Sequence, residues 1–188
     1  MAGNSDAASQ DILKSYFARF GMLLCNDNRL LPSLSSVGGD WNGIVSLIEQ
    51  GNVFYSKLFN GRVTYLSREF YAQVKPYRQR LRKVSPTSKR IFSFLNEYGP
   101  ANTAKIKSAL MLSSKEFSEG MDGLFKELLI TALERDRMMN INWSSFYYGT
   151  YEAWEDRHPI SDVSVSPDEF KRLVSGLLTD KKADKLLK

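Results

Sequence analysis

Residues 85–154 have the sequence SPTSKRIFSFLNEYGPANTAKIKSALMLSSKEFSEGMDGLFKELLITALERDRMMNINWSSFYYGTYEAW, and their pattern decides the predicted fold. In three consecutive segments apolar residues recur three or four positions apart, as they do on one face of an α-helix. Two short segments rich in β-branched and aromatic residues follow, which is typical of paired strands. Three helices followed by a hairpin is the element order of a winged helix-turn-helix.

Capping residues mark the ends of the three helices. Ser85 precedes a proline and predicts the first helix start, while Gly99 precedes a proline and predicts its end. Asn102, or the threonine after it, is the expected cap of the second helix. Ser113 with Glu116 three positions later forms a capping-box pattern and starts the third helix.

The two strands are predicted at 129–133 and 146–151, and the residues between them would form the wing. Aromatic residues are dense in the second strand. Alternation places Phe146 and Tyr148 on one face and Tyr147 and Tyr151 on the other, and we expect one of the two faces to pack in the core. The opposite face would remain available to stack bases or to contact a partner.

The residues upstream carry helix signals and one hairpin signal. Asn-Gly is the preferred pair for a tight type I′ turn, so a two-residue turn is expected between two apolar runs. We predict helices at 9–24 and 40–51, a hairpin at 53–66 turning at Asn60 and Gly61, and a short helix at 67–76.

We therefore predict an α+β fold that is mainly α, in three parts. Residues 1–84 hold the N-terminal helices and β-hairpin and form a possible degenerate winged-helix-like half. Residues 85–156 form the winged helix-turn-helix. Residues 157–188 hold a C-terminal helix that starts at Ser166, followed by a mobile basic tail.

Composition indicates a globular protein of the cytoplasm. The N-terminal residues lack the basic and apolar regions of a signal peptide, and no apolar run is long enough for a membrane span. Cys25 is the one cysteine, so no internal disulfide can form. A formal net charge of +5 permits a polyanionic partner, and double-stranded DNA is the expected one.

The segment 75–90 is the most basic part of the chain, with seven basic residues and no acidic one. The alternatives are a solvated basic linker, or arginines that pair with acidic faces such as that of the third helix. The predicted phosphate contacts are Lys75, Arg78, Arg80, Arg82, Lys83, Lys89 and Arg90 in this segment, Lys105, Lys107, Ser113, Ser114 and Lys115 near the groove, and Arg135 and Arg137 on the wing.

The third helix carries a charge pattern that opposes close docking on DNA. Its exposed face is predicted to present four acids against two bases, so phosphates would be repelled from most of it. The charged residues of that face are Lys115, Glu116, Glu119, Asp122, Lys126 and Glu127. A helix used for packing or for protein contact is the alternative.

Catalytic and metal-binding patterns are scarce. His158 and Cys25 are the only histidine and cysteine, which excludes a zinc site of Cys and His ligands. No glycine-rich nucleotide-binding motif is present. We therefore predict no catalytic residue, no metal site and no cofactor.

The stretches NEYGPANTAKIK (96–107) and NWSSFYYGTYEAWE (142–155) resemble winged-helix proteins related to AlkZ-type DNA glycosylases. The segment 40–71 resembles short proteins of the same group, so the resemblance spans about 38–156. It implies a winged-helix fold and association with nucleic acid. AlkZ-type enzymes use a glutamine followed two positions later by glutamine or aspartate, and none of Gln10, Gln50, Gln73 and Gln79 fits this pattern.

The leading hypothesis is non-catalytic DNA binding in regulation or repair. The first alternative is a module for protein interaction or homodimer formation that uses the winged-helix fold. The second is a glycosylase-type enzyme with an unrecognised carboxylate, which would require a basic cleft containing a buried Asp or Glu.

Overall fold

The computed structural model describes residues 3–140 and 143–187. The first part of the chain contains a three-stranded antiparallel sheet in the order β1-β3-β2, so β3 is central. Two short 3₁₀ turns then lead to the middle of the chain. The elements of this part are α1 (Gly3–Phe20), β1 (Met22–Leu24), α2 (Trp41–Glu49), β2 (Val53–Ser56), β3 (Thr64–Ser67), α3 (Arg68–Val74) and the 3₁₀ turns Lys75–Tyr77 and Leu81–Lys83.

The middle of the chain contains three helices and a two-stranded antiparallel sheet, in the order that the sequence predicts. The backbones of Ala101, before the second of these helices, and Tyr148 exchange two hydrogen bonds of 3.0 Å. Part of the predicted wing, residues 141 and 142, lies outside the described residues. The elements are α4 (Pro86–Tyr98), α5 (Thr103–Leu110), α6 (Ser114–Lys126), β4 (Ile130–Asn140) and β5 (Trp143–Thr150).

The C-terminal part consists of α7 (Tyr151–Arg157), α8 (Pro167–Val174) and α9 (Asp180–Leu187). The last of these replaces the mobile tail that the sequence predicts. Ala183, Leu186 and Leu187 are buried and follow helical spacing, so α9 packs against the rest of the protein. Frequent lysines between these apolar residues hid the pattern.

The predicted caps of the middle helices are confirmed. The Ser85 and Asn102 side chains each accept a hydrogen bond from a backbone amide of the helix that they start. Ser113 and Glu116 form the reciprocal capping box. Gly99 follows α4 with φ of 76°, a left-handed conformation that glycine adopts without steric cost.

The predicted helix 9–24 is wrong at its end, because α1 stops at Phe20. Gly21 has φ of 70° and redirects the chain. The three residues of β1 are fully buried and pair with β3, so sheet pairing outweighs the helical pattern. The first sheet therefore has one strand more than the predicted hairpin.

The predicted two-residue hairpin turn is also wrong, since the loop 57–63 joins β2 and β3. Asn60 and Gly61 have the expected positive φ values of 53° and 71°. However, Leu58 and Phe59 turn into the core instead of continuing the strand. Burial of these two side chains explains the longer loop.

The second hairpin is longer than predicted, because β4 continues to Asn140 and β5 starts at Trp143. Beyond Leu133 the strand β4 is largely exposed, and its charged residues carry no apolar pattern. The face that packs in the core is the one that carries Phe146, which is buried. Tyr151 does not extend β5 but begins α7.

Two apolar clusters hold these parts together. One cluster joins α1, α2 and the first sheet to α4–α6 and the second sheet, and the other joins the first sheet and α3 to α7–α9. In the first, the Trp41 ring lies 6.3 Å from that of Phe146. In the second, the Trp154 ring lies 5.2 Å from each of Phe54 and Tyr71. The structure thus confirms an α+β fold that is mainly helical; the division into three parts stays a prediction.

None of the helices in the described part of the chain has the length and apolar character that crossing a membrane requires.

Replacing Gly21 with alanine tests the junction between α1 and β1. A Cβ atom here would lie 2.6 Å from Phe70 Cδ2, and φ is 70°. We expect the variant to lose at least about 2 kcal/mol of unfolding free energy, measured by chemical denaturation. Gly176→Ala is the control, because nothing lies within 4 Å of its added Cβ. Equal stability of the two variants would contradict this account of the junction.

Candidate nucleic-acid interface

Lys75, the first predicted phosphate contact, takes part in an internal ion pair. Its Nζ lies 3.1 Å from Glu155 Oε2 and 3.5 Å from Asp162 Oδ1. The Tyr71 hydroxyl donates to the other Glu155 oxygen at 2.6 Å. Burial, and then the hydrogen bond to Glu155, raise the pKa of Tyr71 well above its ordinary value. Tyr71 therefore stays a donor, and the charge of Lys75 is compensated inside the protein.

Arg78 is also committed to internal contacts. Its Nε donates to the Leu186 carbonyl and its Nη2 to the Lys185 carbonyl, both at 2.8 Å. Its Nη1 lies 3.4 Å from Glu127 Oε1, and its side chain is 10% exposed. Burial lowers the pKa of Arg78, and the Glu127 carboxylate opposes that shift. The Arg78 guanidinium thus connects Glu127, the residue after α6, with the last turn of α9.

The other predicted cations of the segment 75–83 differ in exposure, and Arg135 forms an ion pair. Arg80 is half-buried, whereas Arg82 and Lys83 are exposed on the second 3₁₀ turn. The Arg135 amide donates to Glu49 Oε1 at 3.1 Å, and its Nε lies 3.9 Å from the same oxygen. Arg135 thus pairs with the end of α2.

A different group of predicted cations meets around the turn between α5 and α6. Arg90 Nη2 donates to the Leu110 carbonyl at 2.8 Å, which brings the start of α4 to the end of α5. Lys107 Nζ donates to Ser114 Oγ at 2.8 Å, which brings α5 to the start of α6. These hydrogen-bond acceptors are uncharged, and the positive charge of Arg90 also acts on the Glu116 carboxylate.

A cleft of about 670 Å³ separates α5 from the hairpin. Lys107 enters it from α5 and Arg137 from β4, while Ser145 on β5 donates to Asp136 at 3.0 Å. We call Arg90, Lys107, Ser114, Lys115 and Arg137 the basic patch. The cleft is lined by Asn102, Thr103, Ala104, Lys107, Ser108, Leu112, Asp136, Arg137 and Ser145.

Internal ion pairs change the charge that α6 presents. Asp122 pairs with Lys57, and Glu127 pairs with Arg78. Two of the four predicted acids are therefore compensated by residues from outside the helix. The folded α6 therefore repels phosphates less than its sequence, with four acids and two bases, predicts.

The two halves of α6 differ in exposure. The Phe125 ring lies 5.1 Å from that of Tyr55, and the Phe125 carbonyl accepts the Lys57 amide at 3.3 Å. The C-terminal half is thus largely covered by the first sheet and its loop, with Lys126 exposed. Ser114, Lys115 and the turn that follows them remain exposed.

Ser113 has a structural role at the start of α6. The Ser113 hydroxyl and the Ser113 amide both donate hydrogen bonds to the Glu116 carboxylate. These two bonds, the hydroxyl's first, hold the pKa of Glu116 below its ordinary value, and the charge of Arg90 also lowers it.

Two further predicted cations lie beside the basic patch. Lys89 is exposed on α4 and Lys105 is exposed on α5.

Sequence reasoning missed two features of this surface. Asn102 was identified as a cap, but it also lines the cleft. Met111, between α5 and α6, is 89% exposed with φ of 51°. An exposed apolar side chain in a left-handed conformation has no local signal in the sequence, because glycine or asparagine is the expected residue there.

A protein-family model described as AlkZ related matches residues 36–186 of the 188. The chain belongs to the AlkZ-related family. A search of curated proteins and a search of solved structures each found no match to the chain.

The AlkZ-related match extends beyond the residues that carry the resemblance in the sequence. It begins in the loop before α2 and ends in α9, so it includes both helices that Arg78 joins. It leaves out α1 and β1. Membership in the AlkZ-related family supports a relation to DNA repair.

Replacing Arg78 with alanine tests its structural role. The Glu127 carboxylate would remain mostly buried without a cation, so we expect a loss of about 3 kcal/mol in unfolding free energy. Adding Glu127→Gln removes the lone charge and should restore part of that loss. Chemical denaturation of both variants measures this, and an unchanged stability of Arg78→Ala would contradict the internal role.

Met111→Gly should stabilise the protein by about 1 kcal/mol, because glycine relieves the cost of the left-handed backbone. Leu128→Gly is the contrasting variant, since Leu128 has φ of 55° but is fully buried. Loss of its packing should outweigh the backbone gain and lower stability. Thermal denaturation compares them, and destabilisation by Met111→Gly would refute the backbone argument.

Proposed function

We propose that this AlkZ-related protein is a non-catalytic DNA-binding protein, associated with repair or regulation, that contacts duplex DNA through the basic patch. In this proposal α4–α6 and the β4–β5 hairpin act as a winged helix. One observation carries the proposal. Lys75, Arg78 and Arg135 form ion pairs inside the protein, whereas in the described part of the chain the cations of the patch do not. Within the described residues, no cation of the patch lies within 4.0 Å of a carboxylate oxygen.

The patch has the chemistry that phosphates require. Its four cations come from α4, α5, α6 and β4, so they form a broad surface instead of a single row. Each phosphate neutralised by such a cation releases a counterion, which makes the affinity fall with salt. The four cations are Arg90, Lys107, Lys115 and Arg137.

The first turns of α6 would lie closest to the bases. Recognition helices contact base edges mainly through their N-terminal residues. That half of α6 is the more exposed one, because the Phe125 end packs against the first sheet and leaves only Lys126 exposed there. Lys115 would then meet the groove, while Arg137 would contact the backbone from the wing.

Base excision does not form part of the proposal. No glutamine of the chain has glutamine or aspartate two positions later, which is the pattern expected of AlkZ-type catalysis. In the structure Gln50 donates to Gln10 at 3.2 Å, and Gln79 donates to the Tyr71 hydroxyl at 2.7 Å. These side chains serve the fold.

Fluorescence anisotropy with a labelled duplex tests the proposal. The variant Lys107→Ala/Lys115→Ala/Arg137→Ala should bind at least tenfold more weakly at low salt. Its plot of log affinity against log salt should have a slope reduced by about 2 to 3, as expected for the loss of two or three phosphate contacts.

The control Arg29→Ala/Arg172→Ala/Lys181→Ala removes the same charge from exposed positions outside the patch. Its affinity should stay within about twofold of the parent protein, since the removed charges make no phosphate contact. Equal losses in the two triple variants, or no binding by the parent at micromolar concentration, would refute the proposal.

A protein-interaction module is the second candidate. Met111, Met138 and Met139 are 89%, 54% and 53% exposed, and methionine-rich surfaces suit adaptable contacts. If they form a homodimer interface, light scattering should give twice the chain mass, and Met138→Ser/Met139→Ser should reduce it to the monomer mass. A monomeric parent protein would exclude the homodimer.

A further inference from the structure

A second cleft, of about 560 Å³, lies between α1, α3 and α8, and none of its lining residues belongs to the basic patch. Its volume falls within the range of about 300–1,000 Å³ typical of small-molecule sites. The α1 wall precedes the residues matched by the family model.

Aromatic and aliphatic residues form half of the lining of the cleft. Phe17 and Phe70 are buried, Phe20 is half-buried, and Leu173 on α8 is 57% exposed. Gly21 has φ of 70° and approaches Phe70 so closely that an added Cβ would lie 2.6 Å from Phe70 Cδ2. The half-buried Phe20 and the exposed Leu173 thus offer the accessible apolar surface of the cleft, against which a ring can pack.

Three cations line the same cleft, namely Lys14, Arg19 and Arg68, with Glu69 as its one acidic residue. In the part of the chain that the structure describes, none of these cations has a carboxylate oxygen within 4.0 Å. The Arg19 guanidinium carbon lies 4.9 Å from the centre of the Phe20 ring.

Among the described residues, the hydrogen-bond acceptor of the Arg68 side chain is uncharged. Its guanidinium donates to the Pro159 carbonyl. The pKa of His158 is lowered first by burial and then by the charge of Arg68. The positive charge of Arg68 is therefore felt by a neighbouring side chain. An anion entering the cleft would meet positive charge that no acid of the described residues cancels by direct contact.

We propose that this cleft binds a small anion carried on a flat apolar ring. The ring would pack against Phe20 and Leu173, and the anionic group would contact Arg19 and Lys14. Aromatic carboxylates and nucleoside monophosphates share this chemistry. Because the cleft shares no residue with the basic patch, the inference stands or falls independently of DNA binding.

Isothermal titration of the full chain with four probes tests the inference. Indole-3-acetate and adenosine monophosphate carry the anion, while indole-3-acetamide and adenosine are their uncharged counterparts. We expect at least one anionic probe to bind at least tenfold more tightly than its counterpart. The anion that binds distinguishes a carboxylate from a phosphate ligand.

Two variants locate the binding. Lys14→Gln/Arg19→Gln should weaken the bound probe at least tenfold with an unchanged melting temperature, whereas Lys181→Gln on α9 should leave its affinity within twofold. Equal affinity for charged and uncharged probes would overturn the inference. So would an affinity unaffected by Lys14→Gln/Arg19→Gln, or no binding of either anion at millimolar concentration.

Discussion

The contact between Arg78 and Glu127 is the interaction on which the arrangement of this protein depends. One mostly buried guanidinium bonds the residue after α6 and two carbonyls of α9, so it links the middle of the chain to its end. Cations at a helix C-terminus are also favoured by the helix dipole. Because α9 lies beside α8, the same contact helps to hold one wall of the second cleft.

This contact belongs to a wider pattern of charge compensation. Residues from the first part of the chain neutralise acids elsewhere: Lys57 pairs with Asp122, Arg78 with Glu127, and Lys75 with Glu155. Each pair removes a cation from the predicted interface or an acid from α6. The basic patch around the α5–α6 turn lies outside these pairs, as do the exposed Arg82, Lys89 and Lys105.

Local features of the fold were predictable because their causes are local. The caps at Ser85, Asn102 and Ser113 depend on residues three positions away. The ion pairs were not predictable in detail, because Arg78 and Glu127 are 49 residues apart, and Arg135 and Glu49 are 86 apart. Pairing of linker arginines with α6 was an alternative that the sequence left open, and only the folded chain shows which arginine makes it.

Mapping backbone amide chemical shifts during titration with duplex DNA tests the central claim most directly. It reports contact at each residue without altering any side chain. The account predicts that shifts concentrate at Arg90, Lys107, Ser114, Lys115 and Arg137, with little change from Lys75 to Lys83. Shifts concentrated in that linker, with an unperturbed α5–α6 turn, would contradict it.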